Sequence, residues 1–188
     1  MSAGLATFLR PPAITPAPLP APGDPAPQLA GTPADGRPRV VAFLRHTGCP
    51  FAEATMRELR DQAALAPDID WIAVTHSSAD VSSRWCDRVG GAGAVRIVSD
   101  EQRRAHAAWG LGRSTLGHFL GARSLAAVLR EARRGIRNSH ADGTRWQRAG
   151  TFAVDAAGTL RWRHLPVHAG ELPDLAAAAA AARSGTNH

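Results

Sequence analysis

An α/β fold is predicted for this 188-residue chain. Three observations predict it. Short apolar runs of strand length alternate with segments of helical periodicity through the first half. A hairpin pattern and one more helix occupy the end of the chain. Proline, glycine and aspartate punctuate the boundaries between these segments.

The elements follow in order. Residues 1–22 are rich in Pro and Ala without periodicity, and read as a disordered or loosely extended tail. The ordered domain is expected over 23–188, opening at Gly23-Asp24-Pro25-Ala26-Pro27. Val40 to Leu44 is an apolar run of the buried-strand type. A helix follows over about Pro50 to Ala66, with Ala52, Met56, Leu59 and Ala63 on one face. Pro67-Asp68 ends it. Asp70 to Thr75 reads as a second buried strand, so the strand–helix–strand unit implies parallel pairing. A helix is expected over Ala79 to Val89 and is broken by Gly90-Gly91-Ala92-Gly93. Ala94 to Val98 reads as a third strand. Ser99 or Asp100 is placed to cap a short helix over Glu101 to Trp109. Leu116 to Arg134 is a longer basic helix candidate, and a polar loop follows to Arg148. Thr151–Asp155 and Thr159–His164, joined at Ala156-Ala157-Gly158, read as a hairpin. Alanine-rich Pro173 to Ala182 is the last helix. A parallel βαβ half followed by an antiparallel ββα half fits the thioredoxin-like sheet, a mixed sheet flanked by helices.

Composition excludes several classes. The net charge is +6, and all 22 basic residues are arginine. With high Ala, Gly and Pro, this bias reads as genome composition rather than a nucleic-acid surface. Arg130, Arg133, Arg134, Arg137, Arg145 and Arg148 read as a solvated face, with an anion-binding surface as the alternative. No stretch approaches the roughly 20 apolar residues of a membrane helix. No signal peptide is read, and the expected location is the cytoplasm. Two cysteines are too few for a disulfide scaffold. The eight histidines give no convincing metal spacing; His164 and His168 are four apart, but Pro166 lies between them. No glycine-rich loop opens a helix, so no cofactor is expected.

Cys49 carries the chemistry. It stands where the first strand has ended and the first helix begins, followed by Pro50 at a position where a missing N–H costs nothing. A thiol there faces unpaired N–H groups and the positive end of the helix dipole, both of which favour the thiolate. Cys86, within Ser83-Arg84-Trp85-Cys86-Asp87, reads either as a small core residue or as a second redox thiol.

These residues resemble a known group. Phe43-Leu44-Arg45-His46 followed by Gly48-Cys49-Pro50-Phe51, then Ile97-Val98-Ser99-Asp100, Ala108-Trp109-Gly110-Leu111 and Gln147 to Gly158, look like the peroxiredoxin superfamily. The branch they look most like is the peroxiredoxin-like AhpC/TSA proteins. The resemblance implies a peroxidatic Cys49, oxidised by a hydroperoxide to a sulfenic acid and then reduced by a second thiol. Cys86 is a possible resolving thiol, and a thioredoxin-like or low-molecular-weight thiol is the alternative reductant. Thr47, His46 and Arg148 are the candidates for positioning peroxide and thiolate. Relatives of this type are often homodimers. The chain departs from the pattern: Ala42 and His46 stand where such proteins have proline and threonine, and Ala149 stands where they have arginine. Ala52 replaces the second cysteine of a Cys-x-x-Cys motif. Three readings stay open: a thiol peroxidase, a thioredoxin-fold binding protein without turnover, and a redox enzyme acting on an organic endoperoxide.

Overall fold

The computed structural model describes residues 14–32, 36–114, 144–168 and 170–185. Its centre is strand β1 (Arg39–Phe43), which holds a place inside a five-stranded sheet. Helix α1 (Pro50–Leu65) leads to β2 (Asp70–Thr75), and α2 (Ala79–Arg88) leads to β3 (Arg96–Ser99). A short helix α3 (Arg104–Ala108) follows. Strands β4 (Gly150–Val154) and β5 (Leu160–His164) and helix α4 (Leu175–Arg183) complete the described elements.

The spatial order is β3-β2-β1-β4-β5. β1 pairs parallel with β2 and antiparallel with β4, and β4 and β5 form the hairpin. Alternate side chains of β1 feed two separate cores. Val40 and Ala42 join a core with Met56 and Leu59 of α1, Trp85 of α2 and Leu175 of α4. Val41 and Phe43 join the opposite core with Trp109, Leu111, Phe152 and Leu160. A strand buried on both faces has no need of polar alternation, which is why the sequence reads as an unbroken apolar run.

The helices form for local reasons that the sequence carries. In α1, Ala52, Met56, Leu59 and Ala63 are all buried, and Glu53 pairs with Arg57 one turn on at 2.6 Å. Ser78 Oγ caps α2 by accepting from the Val81 N–H at 3.3 Å. Asp174 caps α4 in the same way, its carboxylate accepting from the Ala177 N–H at 2.9 Å. The glycine run after α2 is a turn as expected. Gly90 has φ +103°, and a Cβ there would lie 2.9 Å from the Arg60 guanidinium. That guanidinium donates to the Val89 and Gly91 carbonyls and so ties α1 to the turn.

Three expectations are corrected. Residues 14–22 are not a loose tail. The Ala17 N–H donates to the Ala107 carbonyl at 2.8 Å, and Leu19 packs on the Trp109 core. Arg163 donates to the Pro20 carbonyl. Prolines bar this segment from helix and sheet, yet an extended strip can still cover apolar surface. The third strand starts at Arg96, after Gly93, rather than at Ala94. The short helix starts at Arg104 rather than Glu101, with Arg103 at its N-cap in the left-handed region (φ 55°). The Asp100 carboxylate still meets a donor of this helix, because its Oδ2 accepts from the His106 N–H at 2.9 Å. The expected helix over Leu116 to Arg134 lies outside the described residues. No helix among those described is long and apolar enough to cross a membrane.

Phe152 is fully buried and meets Phe43 and Trp109 edge-on at centroid distances of 5.9 and 4.9 Å. Phe152→Ala is expected to lower unfolding free energy by about 3–5 kcal/mol in a urea titration. A loss below about 1 kcal/mol would mean that the core of this face closes without the ring.

Candidate active site

The chain leaves β1 at Phe43, and the Leu44 N–H donates to the Val74 carbonyl at 2.8 Å, continuing the contact one residue past the strand. A tight turn over Arg45 to Gly48 then delivers Cys49 to the N-cap of α1. The Cys49 N–H donates to the His46 carbonyl at 3.0 Å, and the Glu53 N–H donates to the Cys49 carbonyl at 3.1 Å. Cys49 has extended backbone (φ −84°, ψ 127°), and its thiol accepts no capping hydrogen bond. Pro50 supplies no N–H at the first helical position, so nothing is lost there.

The turn is buried and built around neutral imidazoles. His46 is 2% exposed, and its Nδ1 accepts from the Gly48 N–H at 3.2 Å. Its proton therefore sits on Nε2. Burial, and then the charges of Arg45, His76 and Arg145, hold it well below the ordinary histidine value. His76 Nε2 donates to the Arg45 carbonyl. Burial is also the main cause that brings His76 down to about 4. Thr47 Oγ1 lies 3.5 Å from Ser77 Oγ, at the limit of a hydrogen bond. Behind His76, the His106 ring is fully buried, with Nδ1 on Asp100 Oδ2 at 2.8 Å. Burial works to raise Asp100, but the hydrogen bonds from the His106 ring and backbone outweigh it and hold the carboxyl below its usual range.

Cys49 lines a cavity of about 40 Å³. At roughly 10–15 Å³ per water-sized group, this is room for about three such groups. The polar residues that line it are Arg45, Thr55, Thr151, His164 and Glu171, and Gly150 lines it too. Gly150 has close neighbours: a Cβ there would lie 2.9 Å from Leu111 and 3.1 Å from Leu165.

Of the residues singled out in the sequence, Cys49, His46 and Thr47 share this turn. Arg148 does not line the cavity; its N–H donates to the Gly112 carbonyl at 3.1 Å, before β4 begins. Arg45 occupies the wall instead. Cys86 is buried on α2 and lines a different cavity with Ala79, Ser83 and Asp87. Both thiols are free. Burial first, and then Asp87, push the Cys86 thiol up, against an opposing effect of Arg60. Sequence reasoning missed Thr55, His164 and Glu171. Thr55 sits six residues past Cys49 on α1, and the other two reach the wall only through the pairing of β5 with β4. No group of three or more metal-ligating side chains is assembled among the described residues.

Comparison with known proteins bears on the family and the fold. A family described as AhpC/TSA antioxidant enzyme matches residues 55–168, a span that opens on α1 just past Cys49. The chain is similar in structure to a peroxiredoxin-like protein from Aquifex aeolicus (TM-score 0.61, 15% identity, 89% of each chain covered). A thiol peroxidase from Chromobacterium violaceum gives TM-score 0.59 at 14% identity, covering 88% of this chain and 87% of that one. A cysteine-to-serine mutant of peroxiredoxin 6 from Arenicola marina gives 0.61 at 12%, covering 85% and 70%. At these identities the likeness is one of fold, and the fold is that of the thioredoxin-like peroxiredoxins. No curated protein matches the chain.

The neutral imidazoles make stability depend on pH. His46 and His76 are both depressed, so the unfolded chain binds protons below about pH 6.5 that the folded chain refuses. Stability is complete above that value and falls progressively toward pH 4. His76→Gln is expected to remove about 2 kcal/mol of the decline between pH 7.5 and 4.5, read from urea midpoints. An unchanged slope in that variant would mean His76 takes its proton in the folded state.

Proposed function

The chain belongs to the AhpC/TSA antioxidant enzyme family, and from that premise we propose that it is a thiol peroxidase acting through Cys49. One observation carries this reading: Cys49 is at once the N-cap of a 16-residue helix and part of the wall of a small cavity. The N–H groups of the first turn have no partners within the helix and favour an anion at the cap. A thiolate there attacks the terminal oxygen of a hydroperoxide. The S–O bond forms as the O–O bond breaks, leaving a Cys49 sulfenic acid and an alcohol or water. The cavity size favours hydrogen peroxide or the end of an organic hydroperoxide over a bulky endoperoxide.

His46 and Thr47 hold the turn in place on this reading. Buried and neutral, His46 adds no charge beside the thiol, and its bond from Gly48 fixes the last residue before Cys49. Arg45, rather than Arg148, is among the residues that line the cavity on this reading. Reduction falls to an external thiol, which condenses with the sulfenic acid and releases water. A second thiol then frees Cys49. Cys86 opens into a separate cavity, and burial keeps its thiol protonated, which disfavours it as the resolving group. A cytoplasmic setting, with a thioredoxin-like or low-molecular-weight reductant, suits this scheme. One fact favours the second reading, a binding protein without turnover: the family match begins at Thr55, after the cysteine.

One equivalent of hydrogen peroxide added to reduced protein, followed by intact mass, separates the two. A gain of one oxygen within seconds is expected, trapped by dimedone and lost in Cys49→Ser. Cys86→Ser is expected to oxidise at the wild-type rate. Oxidation no faster than that of a free thiol in solution would leave the binding reading. A Cys49–Cys86 disulfide would restore Cys86 as the resolving residue.

A further inference from the structure

The turn over Arg45 to Gly48 joins two firmly anchored elements. Its four residues add no apolar side chain to either core, whereas Leu44 before it and Cys49 after it belong to the core beneath α1. β1 is paired over five residues on both edges, and α1 is anchored by the buried Met56 and Leu59. The backbone of the turn is tied instead by single hydrogen bonds. The Gly48 N–H donates to His46 Nδ1 at 3.2 Å, the Cys49 N–H donates to the His46 carbonyl at 3.0 Å, and His76 Nε2 donates to the Arg45 carbonyl. Segments with few apolar contacts open locally, at a lower free energy than the whole fold.

Two of these bonds answer a proton differently. A second proton on His76 goes to Nδ1 and leaves the Nε2 bond to Arg45 in place. A second proton on His46 goes to Nδ1 itself, the atom that accepts from Gly48. The acceptor becomes a donor facing a donor, and the bond is lost. His46 is 2% exposed, so in the closed turn the new charge has no water. The titratable and charged groups around it are Arg45 in the turn, His76 after β2 and Arg145 before β4, with His106 and its partner Asp100 behind His76. Burial first, and then Arg45, His76 and Arg145, oppose a cation on His46. The proton and the closed turn therefore exclude each other.

We propose that this turn is an acid-released latch on Cys49. A proton on His46 Nδ1 breaks the Gly48 bond, the turn opens while the sheet stays folded, and Cys49 leaves the N-cap of α1. Closing expels the proton and restores the cap, so the change is reversible. As regulation of the Cys49 site this rests on the thiol peroxidase reading, whereas the opening itself does not. Away from the N–H groups of α1, the thiolate loses the donors that favour it, and acid turns the site off.

Hydrogen exchange followed by NMR on the full chain, between about pH 4.5 and 7.5, reads the opening directly, with each rate divided by that of an unstructured chain at the same pH. Protection of the Gly48 and Cys49 amides is expected to fall about tenfold per pH unit below about 6.5, the ordinary histidine value, because opening takes up one proton. It is expected to lie below that of the β1 amides throughout and to ignore low concentrations of urea, since local opening exposes little surface. His46→Asn keeps a side-chain acceptor for the N–H two residues on but cannot titrate. Its turn is expected to change by less than about twofold per pH unit. Flat protection in the wild type, a fall that follows urea as steeply as β1 does, or the wild-type slope retained in His46→Asn overturns the latch. Hydrogen peroxide added at about pH 7.5, with intact mass as readout, keeps the two readings apart. A Cys49 that stays reduced while the turn amides follow acid removes the peroxidase and leaves the opening. An oxidised Cys49 above a turn that ignores acid removes the latch alone.

Discussion

Strand β1 hydrogen-bonds to β2 along one edge and to β4 along the other, over the same five residues. That double pairing fixes the end of the strand in space, because Phe43 is held between Val74 and Gly150. The chain must leave the sheet there, and the Leu44 bond to Val74 sets its direction. Five residues later Cys49 begins a helix, so the place of the thiol follows from the register of the central strand. The cavity wall follows too, since Gly150 and Thr151 are the β4 residues opposite Phe43 and Ala42. In open α/β sheets, reactive groups gather beyond the carboxyl ends of the parallel strands, and this site lies at that end of β1.

The electrostatics of the turn point the same way. Arg45 and Arg145 surround a region where His46 and His76 are both kept neutral. Each protonated imidazole would add a buried positive charge to a cluster that already has two. The protein instead uses these rings as neutral hydrogen-bonding struts, with His46 accepting from Gly48 and His76 donating to Arg45. Two kinds of histidine therefore surround one cysteine. His46 and His76 brace the backbone, whereas His164 Nε2 is buried without a hydrogen bond, 4.0 Å from Glu171 Oε1.

Much of this was legible in the sequence, for physical reasons that differ by element. β1, α1 and β2 could be read because complete burial selects an unbroken apolar run, and burial of one face selects a helical stripe. Cys49 could be read because the strand-to-helix transition was written in the residues around it. His164 and Glu171 could not, since local spacing says nothing about a pairing that brings residue 164 beside residue 49. The left-handed Arg103 was equally hidden, because glycine, not arginine, signals that conformation. Residues 14–22 misled for another reason: proline content reports which structures a segment is barred from, not whether it docks. Asp100 was half legible. Its carboxylate does serve the helix that follows, but it reaches His106 through both ring and backbone, so the helix begins later than a simple cap implies.

The central position of β1 also has a consequence for synthesis. Its parallel partner β2 is nearby in sequence, but Arg39 pairs with Val154 on the other side, about 115 residues further along. A ribosome must release most of the chain before that edge can close. Until then the nascent protein carries an apolar strand open along one side, and Cys49 beside it lacks the wall that Ala149, Gly150 and Thr151 later provide. The thiol is thus exposed to the cell before it is enclosed, and the interval between translation of β1 and arrival of β4 is when other thiols and oxidants reach it without selection.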